Sequence, residues 1–336
     1  MRVRWPDFLV SLGGLLTGNA ANSRRQSDLQ AAPGFLFEPL SFGSVRADRT
    51  PGQPLQPGVH LVAKGQAPYL RTRPENLILS RSDVPALTIA ANASGMVEVS
   101  GNNRDDWSLR LCASGEGNSE MEAHERSREV SLTRLGSSVF LNGPGIDQMG
   151  GARGDLIVDA PADAPTTVHA SFAAIQVRNL TGPVRVTAIH ARARILNTTG
   201  RVDAAGFVVD FAGSEGTIIL SAEADINLKF TTARFQGTLT AWAQRSVRAL
   251  VPQTFQTPFQ VLVNRPQDFV CRTDFRAHVK SEKKGRLCVF TYAGDGSTPP
   301  ERVHLRSEHA KVIVDTAAEG RQSSQNSRQG IFDDYT

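Results

Sequence analysis

Cysteine is scarce in this chain. Only Cys112, Cys271 and Cys288 occur among 336 residues. None belongs to a C-x-x-C pair or has a histidine at ligand spacing, which excludes the common zinc frameworks. Cys271 and Cys288 fall on adjacent predicted strands and could bridge in an exported protein, but buried free thiols are the favoured reading. Aromatic residues are few, at 7%, so stacked aliphatic side chains are expected to fill the interior. Long apolar runs are missing too. After the first twenty residues no stretch approaches eighteen uncharged apolar positions, and no stable membrane span is expected there. Catalytic and nucleotide motifs are also lacking: there is no P-loop, no G-x-S-x-G, no H-E-x-x-H, and no G-x-G-x-x-G after a strand.

Charge of one sign is not concentrated anywhere. The formal net charge is +4, but arginines share their segments with acids, as in Arg104-Asp105-Asp106 and Glu125-Arg126-Ser127-Arg128-Glu129. A nucleic-acid partner would call for a basic stripe with interleaved aromatics, so none is expected.

What the chain does contain is a repeated phrase, a glycine with apolar residues two and four positions later. Gly154 precedes Leu156 and Val158, Gly182 precedes Val184 and Val186, and Gly200 precedes Val202 and Ala204. Gly216 with Ile218 and Leu220, and Gly237 with Leu239 and Ala241, continue it. Apolar residues two apart share one face of a strand, and glycine supplies a positive-φ turn at its start. From Gly182 to Gly200, Gly216 and Gly237 the steps are 18, 16 and 21 residues. A period near twenty is one rung of a β-solenoid, an all-β, β-helix-like repeat. A β-sandwich with evenly spaced hairpins is the alternative. Asn179-Leu180-Thr181-Gly182 and Asn197-Thr198-Thr199-Gly200 give two rungs a common turn. Val184, Val186, Val202, Ile218, Leu220 and Leu239 are expected to point inward.

Four segments follow from this reading. Residues 1–21 have the form of an export signal, with Arg2 and Arg4 before an apolar stretch from Phe8 to Thr17 and small residues after it. An unstructured N-terminus or a wrongly assigned start is the alternative. Residues 22–85 are a proline-rich leader, residues 86–317 the β domain, and residues 318–336 a disordered tail. Within the domain, Gly115 to Glu129 is polar and charged and is expected to form an exposed excursion.

With the rungs laid out, the chain resembles the DUF4097 family of bacterial adhesins, whose head is a β-solenoid. Residues 87–101 (LTIAANASGMVEVSG) resemble the family's opening strand pair. Residues 154–241 resemble its central rungs, and residues 292–314 (YAGDGSTPPERVHLRSEHAKVIV) its closing loop and last rung. Two places depart from the pattern. Glu308-His309-Ala310 stands where the family places Asn-Gly, which predicts a distorted last rung, and Ala170-Ser171-Phe172 lacks the turn glycine. The resemblance implies an envelope-associated, non-catalytic module at the periplasm or cell surface, with no catalytic set to carry over. A cytoplasmic location is the alternative.

Candidate chemistry was sought in the acids and histidines. Asp203, Asp210 and Asp225 lie on or beside successive rungs with Arg194 and Arg201 nearby, the raw material of a glycoside-cleaving pair. Against this, Asp203 follows Val202 at an alternating position that faces water, where a polar residue belongs in any case. His169 and His190 are 21 residues apart, about one rung, and could stack, but no further metal ligands accompany them and solvated or hydrogen-bonded histidines are the favoured reading. No catalytic, cofactor or metal residue is assigned, and no cofactor is expected. Three functions stand. The first is a non-catalytic envelope module whose arginine ladders (Arg178, Arg185, Arg194, Arg201) face an envelope polymer or protein surface. The second is a carbohydrate-active β-helix enzyme, a lyase or hydrolase. The third is a scaffold that self-associates through solenoid ends.

Overall fold

The computed structural model describes residues 59–61, 69–144, 151–294 and 303–317. The expected export signal, most of the leader and the tail past 317 lie outside the described residues. Strand is the main element of the described residues. The first five strands are β1 Val59–Leu61, β2 Tyr69–Ser80, β3 Leu87–Ala91, β4 Gly95–Asn102 and β5 Asp106–Gly117. Helix α1 (Glu120–Arg128) follows, then β6 Ser131–Leu135, β7 Ser138–Asn142, β8 Ala152–Pro161, β9 Thr166–Ala170 and β10 Ala173–Arg178. Three long strands come next: β11 Val184–Leu196, β12 Arg201–Gly213 and β13 Glu215–Phe230. The series continues through β14 Gln236–Ala243, β15 Ser246–Val251, β16 Phe259–Val263 and β17 Phe269–Arg272. It ends with β18 Val279–Lys284, β19 Leu287–Tyr292, β20 Val303–Ser307 and β21 Val312–Thr316.

These strands stack in two parallel ladders. In the first, β3, β9, the leading halves of β11, β12 and β13, then β14, β20 and β16 lie side by side in register. Leu87, Thr166, Val184, Val202, Ile218, Leu239, Val303 and Phe259 therefore form one column, and every member is buried. In the second, β8, β4, β10, the trailing halves of β11 to β13, β15, β21 and β17 stack likewise. The long strands pass from one ladder to the other through irregularities at Ala188/Arg192 and Gly206/Val208. Ala91, Ala170, Ala188, Gly206, Ala222 and Ala243 stack on the inner side of that corner, where short side chains let two sheets meet. All six residues expected to point inward are buried. Each such aliphatic side chain contributes about 1.5–3 kcal/mol on leaving water.

The glycines do two different things. Gly216 and Gly237 have φ of 126° and 114°, as a positive-φ turn requires. At Gly200 a Cβ would collide with the Gly182 carbonyl oxygen, so that glycine permits close stacking of turns. Asn179 and Asn197 carry the positive φ in the shared turn, at 58° and 48°. Thr199 N–H donates to the Leu180 carbonyl at 2.9 Å, tying one turn to the next.

Several expectations need correction. Strand β2 lies in the stretch read as leader and pairs with β5 along its whole length. Pro74 is accommodated there because β1 covers the outer edge of β2 only over Tyr69–Arg71. The charged excursion holds the end of β5 and helix α1. Ser119 Oγ accepts the Glu122 N–H at 3.2 Å and Glu122 Oε2 accepts the Asn118 N–H at 2.7 Å, a capping arrangement. Ala123 and Ser127 are buried. The last rung is not distorted. Strands β20 and β21 insert in register between β14 and β16 and between β15 and β17. Their turn is held without glycine, since Glu308 N–H donates to Ala243 O and His309 N–H to Gln244 O. Aromatics join the buried valines and leucines at the far end: Phe230 with Phe235 at 5.6 Å, and Phe275 stacked on Tyr292 at 4.5 Å.

Candidate functional site

The three acids do not converge. Asp203 and Asp210 belong to one strand but to different ladders, Asp203 beside Arg185 and Ile219, Asp210 beside Arg194 and Asn227. Asp225 pairs with Val208 and Ser246. Each is engaged with arginine. Arg201 Nε donates to Asp203 at 3.2 Å, and Arg245 reaches Asp225 at 2.8 Å while Ser246 Oγ donates to it at 2.6 Å. Asp210 is 1% exposed. Its Oδ1 accepts from Asn227 Nδ2 at 2.8 Å, and the Arg192 and Arg194 Nε atoms each stand 3.4 Å from Oδ2. That buried carboxylate between two guanidiniums went unrecognised in the sequence.

The arginine ladders are committed in the same way. Arg178 pairs with Glu98 at 2.8 Å, and Arg153 with Asp155 at 2.9 Å. Arg81 forms a two-bonded contact with Asp163 at 2.9 and 2.8 Å. The hydrogen bonds from Arg81 hold the Asp163 carboxyl below its ordinary range, and Arg104 does the same for Asp106. Of these, only Arg178 with Glu98 joins neighbouring strands, β10 and β4; Arg153–Asp155 and Arg104–Asp106, like Arg201–Asp203, each lie two residues apart in the chain. Exposed pairs of this kind contribute little to stability.

His169 and His190 do not stack on one another. The register sets His169 between Ala90 and Thr187, while His190 lies in the irregular corner of β11 and stacks on Phe172 at 6.1 Å. Burial, and secondarily the nearby Arg185 charge, push the His169 pKa below its ordinary value. The cysteines are free, and the expected adjacency is corrected. Cys271 lies on β17 beside β21, and Cys288 on β19 between β16 and β18. Among the described residues no three His, Cys, Asp or Glu side chains group as a metal site would need. Among the same residues no helix is long and apolar enough to cross a membrane.

The feature that sequence reading missed is on the outer face of the first ladder and the corner beside it. Ile189, Phe207 and Ile219 are 45%, 46% and 44% exposed, three of the six large hydrophobic side chains so exposed among the described residues. All three lie on the adjacent strands β11, β12 and β13. Between them run Thr187, Ala205 and Ser221, ladder partners of one another. His169 borders this short-side-chain row on β9 and Trp242 on β14. Each of these residues looked like an ordinary outward position. Only the neighbouring courses of β11, β12 and β13 bring them together.

No protein-family model matches the chain, and no curated protein matches it. The chain is similar to the crystal structure of a putative cell adhesion protein from Clostridium sporogenes ATCC 15579, with 8% identity over 73% of this chain and 100% of that one, at a TM-score of 0.30. It is also similar to a putative adhesin from Bacteroides fragilis NCTC 9343, with 9% identity over 74% of this chain and 97% of that one, at a TM-score of 0.31.

Proposed function

We propose that this chain is a non-catalytic β-solenoid of the bacterial envelope that binds an extended polymer or partner surface. Parallel returns of the chain every 16 to 21 residues, each in register with the last, support the solenoid reading. The export-type sequence of residues 1–21 and the resemblance to DUF4097 adhesins support the envelope. The observation that carries the binding reading is the exposed apolar group of Ile189, Phe207 and Ile219 on the adjacent strands β11, β12 and β13. Exposed apolar groups gathered in one place mark a contact surface. Catalysis by the acids is the weaker reading, because Asp203, Asp210 and Asp225 are each tied to arginine and lie apart along the ladders. Self-association through the ends is also weaker. Edge strand β18 carries Lys280, Lys283 and Lys284, charges that oppose strand addition.

The test has two parts. Cell fractionation of the producing bacterium should recover the chain in the envelope, and purified protein should co-sediment with isolated cell walls. Recovery in the cytosol with no wall binding would contradict the proposal.

A further inference from the structure

We propose that the outer face of the first ladder between His169 and Trp242 binds an uncharged glycan strand. The inference rests on the binding-module reading above and names its site and ligand class.

The register builds the site. His169, Thr187, Ala205, Ser221 and Trp242 are successive partners across five parallel strands. At about 4.8 Å per strand the row is about 19 Å long. Its middle is a low floor, because Thr187, Ala205 and Ser221 have short side chains. Ile219 flanks the floor on one side within the ladder, and Ile189 and Phe207 stand on the other side, two residues past Thr187 and Ala205, at the corner where β11 and β12 leave the first ladder. An imidazole and an indole border its two ends.

The size and chemistry of this trough select its occupant. With about 14 Å across two residue spacings on either side, it offers on the order of 300 Å². A stable pairing with a second copy needs about 800 Å² from each partner, so the site is too small for one. Neither does it suit a peptide. The backbone groups of β9, β11, β12, β13 and β14 are taken up by parallel neighbours, so no strand can be added. A peptide lying across Ala205 and the apolar walls would keep its own amides without partners. Charge argues against an acidic polymer. Within the strip stand Arg185, Asp203 and Glu223, and Arg201 just outside it is paired with Asp203, so the strip carries no excess of positive charge. A pyranose fits all of these features. Its C–H face packs on an aromatic or aliphatic side chain, and its rim of hydroxyls meets the Thr187 and Ser221 hydroxyls and the charged side chains.

The experiment is calorimetric titration of the full chain with cellohexaose and chitohexaose, and with an oligogalacturonate as the acidic probe. Cell-wall co-sedimentation runs in parallel. Phe207→Ser removes one wall, Ala205→Arg fills the floor, and Met121→Ser alters an exposed apolar residue on α1 as the control. An uncharged hexamer should bind, about ten-fold more weakly to Phe207→Ser and undetectably to Ala205→Arg, with Met121→Ser unchanged. If Phe207→Ser fails to fold, Ala205→Arg decides alone. Binding that survives Ala205→Arg, or binding of the acidic probe only, overturns the inference. Wall binding without hexamer binding overturns it as well and leaves the module reading standing. Loss of both kinds of binding overturns both.

Discussion

Val202 and Ile218 stand side by side on neighbouring parallel strands, 16 residues apart in the chain, and both are buried. The next residue, Ile219, is 44% exposed. Ile218→Asp should cost about 4 kcal/mol or more, since it buries an unpaired charge in the column. Ile219→Asp should change stability by only about 0.5 kcal/mol. Chemical denaturation of the two variants checks this, and similar losses for both would contradict the assigned register.

Asp210 neutralises Arg192 and Arg194 from a buried position. Asp210→Ala leaves two guanidiniums facing each other without their acid. The arginine side chains are 38% and 24% exposed, so water screens part of the loss, and about 1–3 kcal/mol is expected. Denaturation in low and high salt measures it. Unchanged stability would mean that the carboxylate does not hold the strands together.

The inward columns were legible because each rung repeats glycine and alternating apolar residues within a single strand. Val184, Val202, Ile218 and Leu239 needed no long-range information. What was not legible depends on partners distant in sequence. Helix α1 is almost wholly polar, so periodicity hid it, although Ser119 and Glu122 at capping spacing carried a signal. Strand β2 was masked by Pro74, tolerable only because the outer edge there is free. The insertion of β20 between β14 and β16 leaves no local trace at all. The burial of Asp210 shows only when Arg192, Arg194 and Asn227 are brought around it, and the apolar strip likewise exists only across three strands.

Gly237 sits at φ 114°, and a Cβ there would meet the Gly216 carbonyl oxygen. Gly237→Ala should therefore cost about 2 kcal/mol or more. Gly136 has φ 60° and open space around it, so Gly136→Ala should cost only about 1 kcal/mol. Thermal or urea denaturation separates the two, and equal effects would contradict the close stacking of turns.

His169 binds its proton more weakly in the folded chain than in the unfolded one. The unfolded state then takes up more protons at mildly acid pH, and stability falls as pH drops below the ordinary histidine value near 6.5. His169→Gln should remove that part of the pH dependence. Asp163 acts in the same direction at lower pH. Its depressed carboxyl contributes above the ordinary value near 3.8, and the contribution is lost as pH falls through the lower folded value. Denaturation midpoints from pH 7 to pH 5 test the histidine, and identical slopes for wild type and His169→Gln would refute it.

Binding without turnover is tested most directly in one tube. Purified protein is incubated with a panel of insoluble polysaccharides and isolated cell walls, and both bound protein and new reducing ends or unsaturated products are measured. The expected result is protein in the pellet with no product at any time. Product that accumulates with wild type and disappears in folded Asp203→Asn or Asp210→Asn would contradict the account and make the chain a carbohydrate-active enzyme.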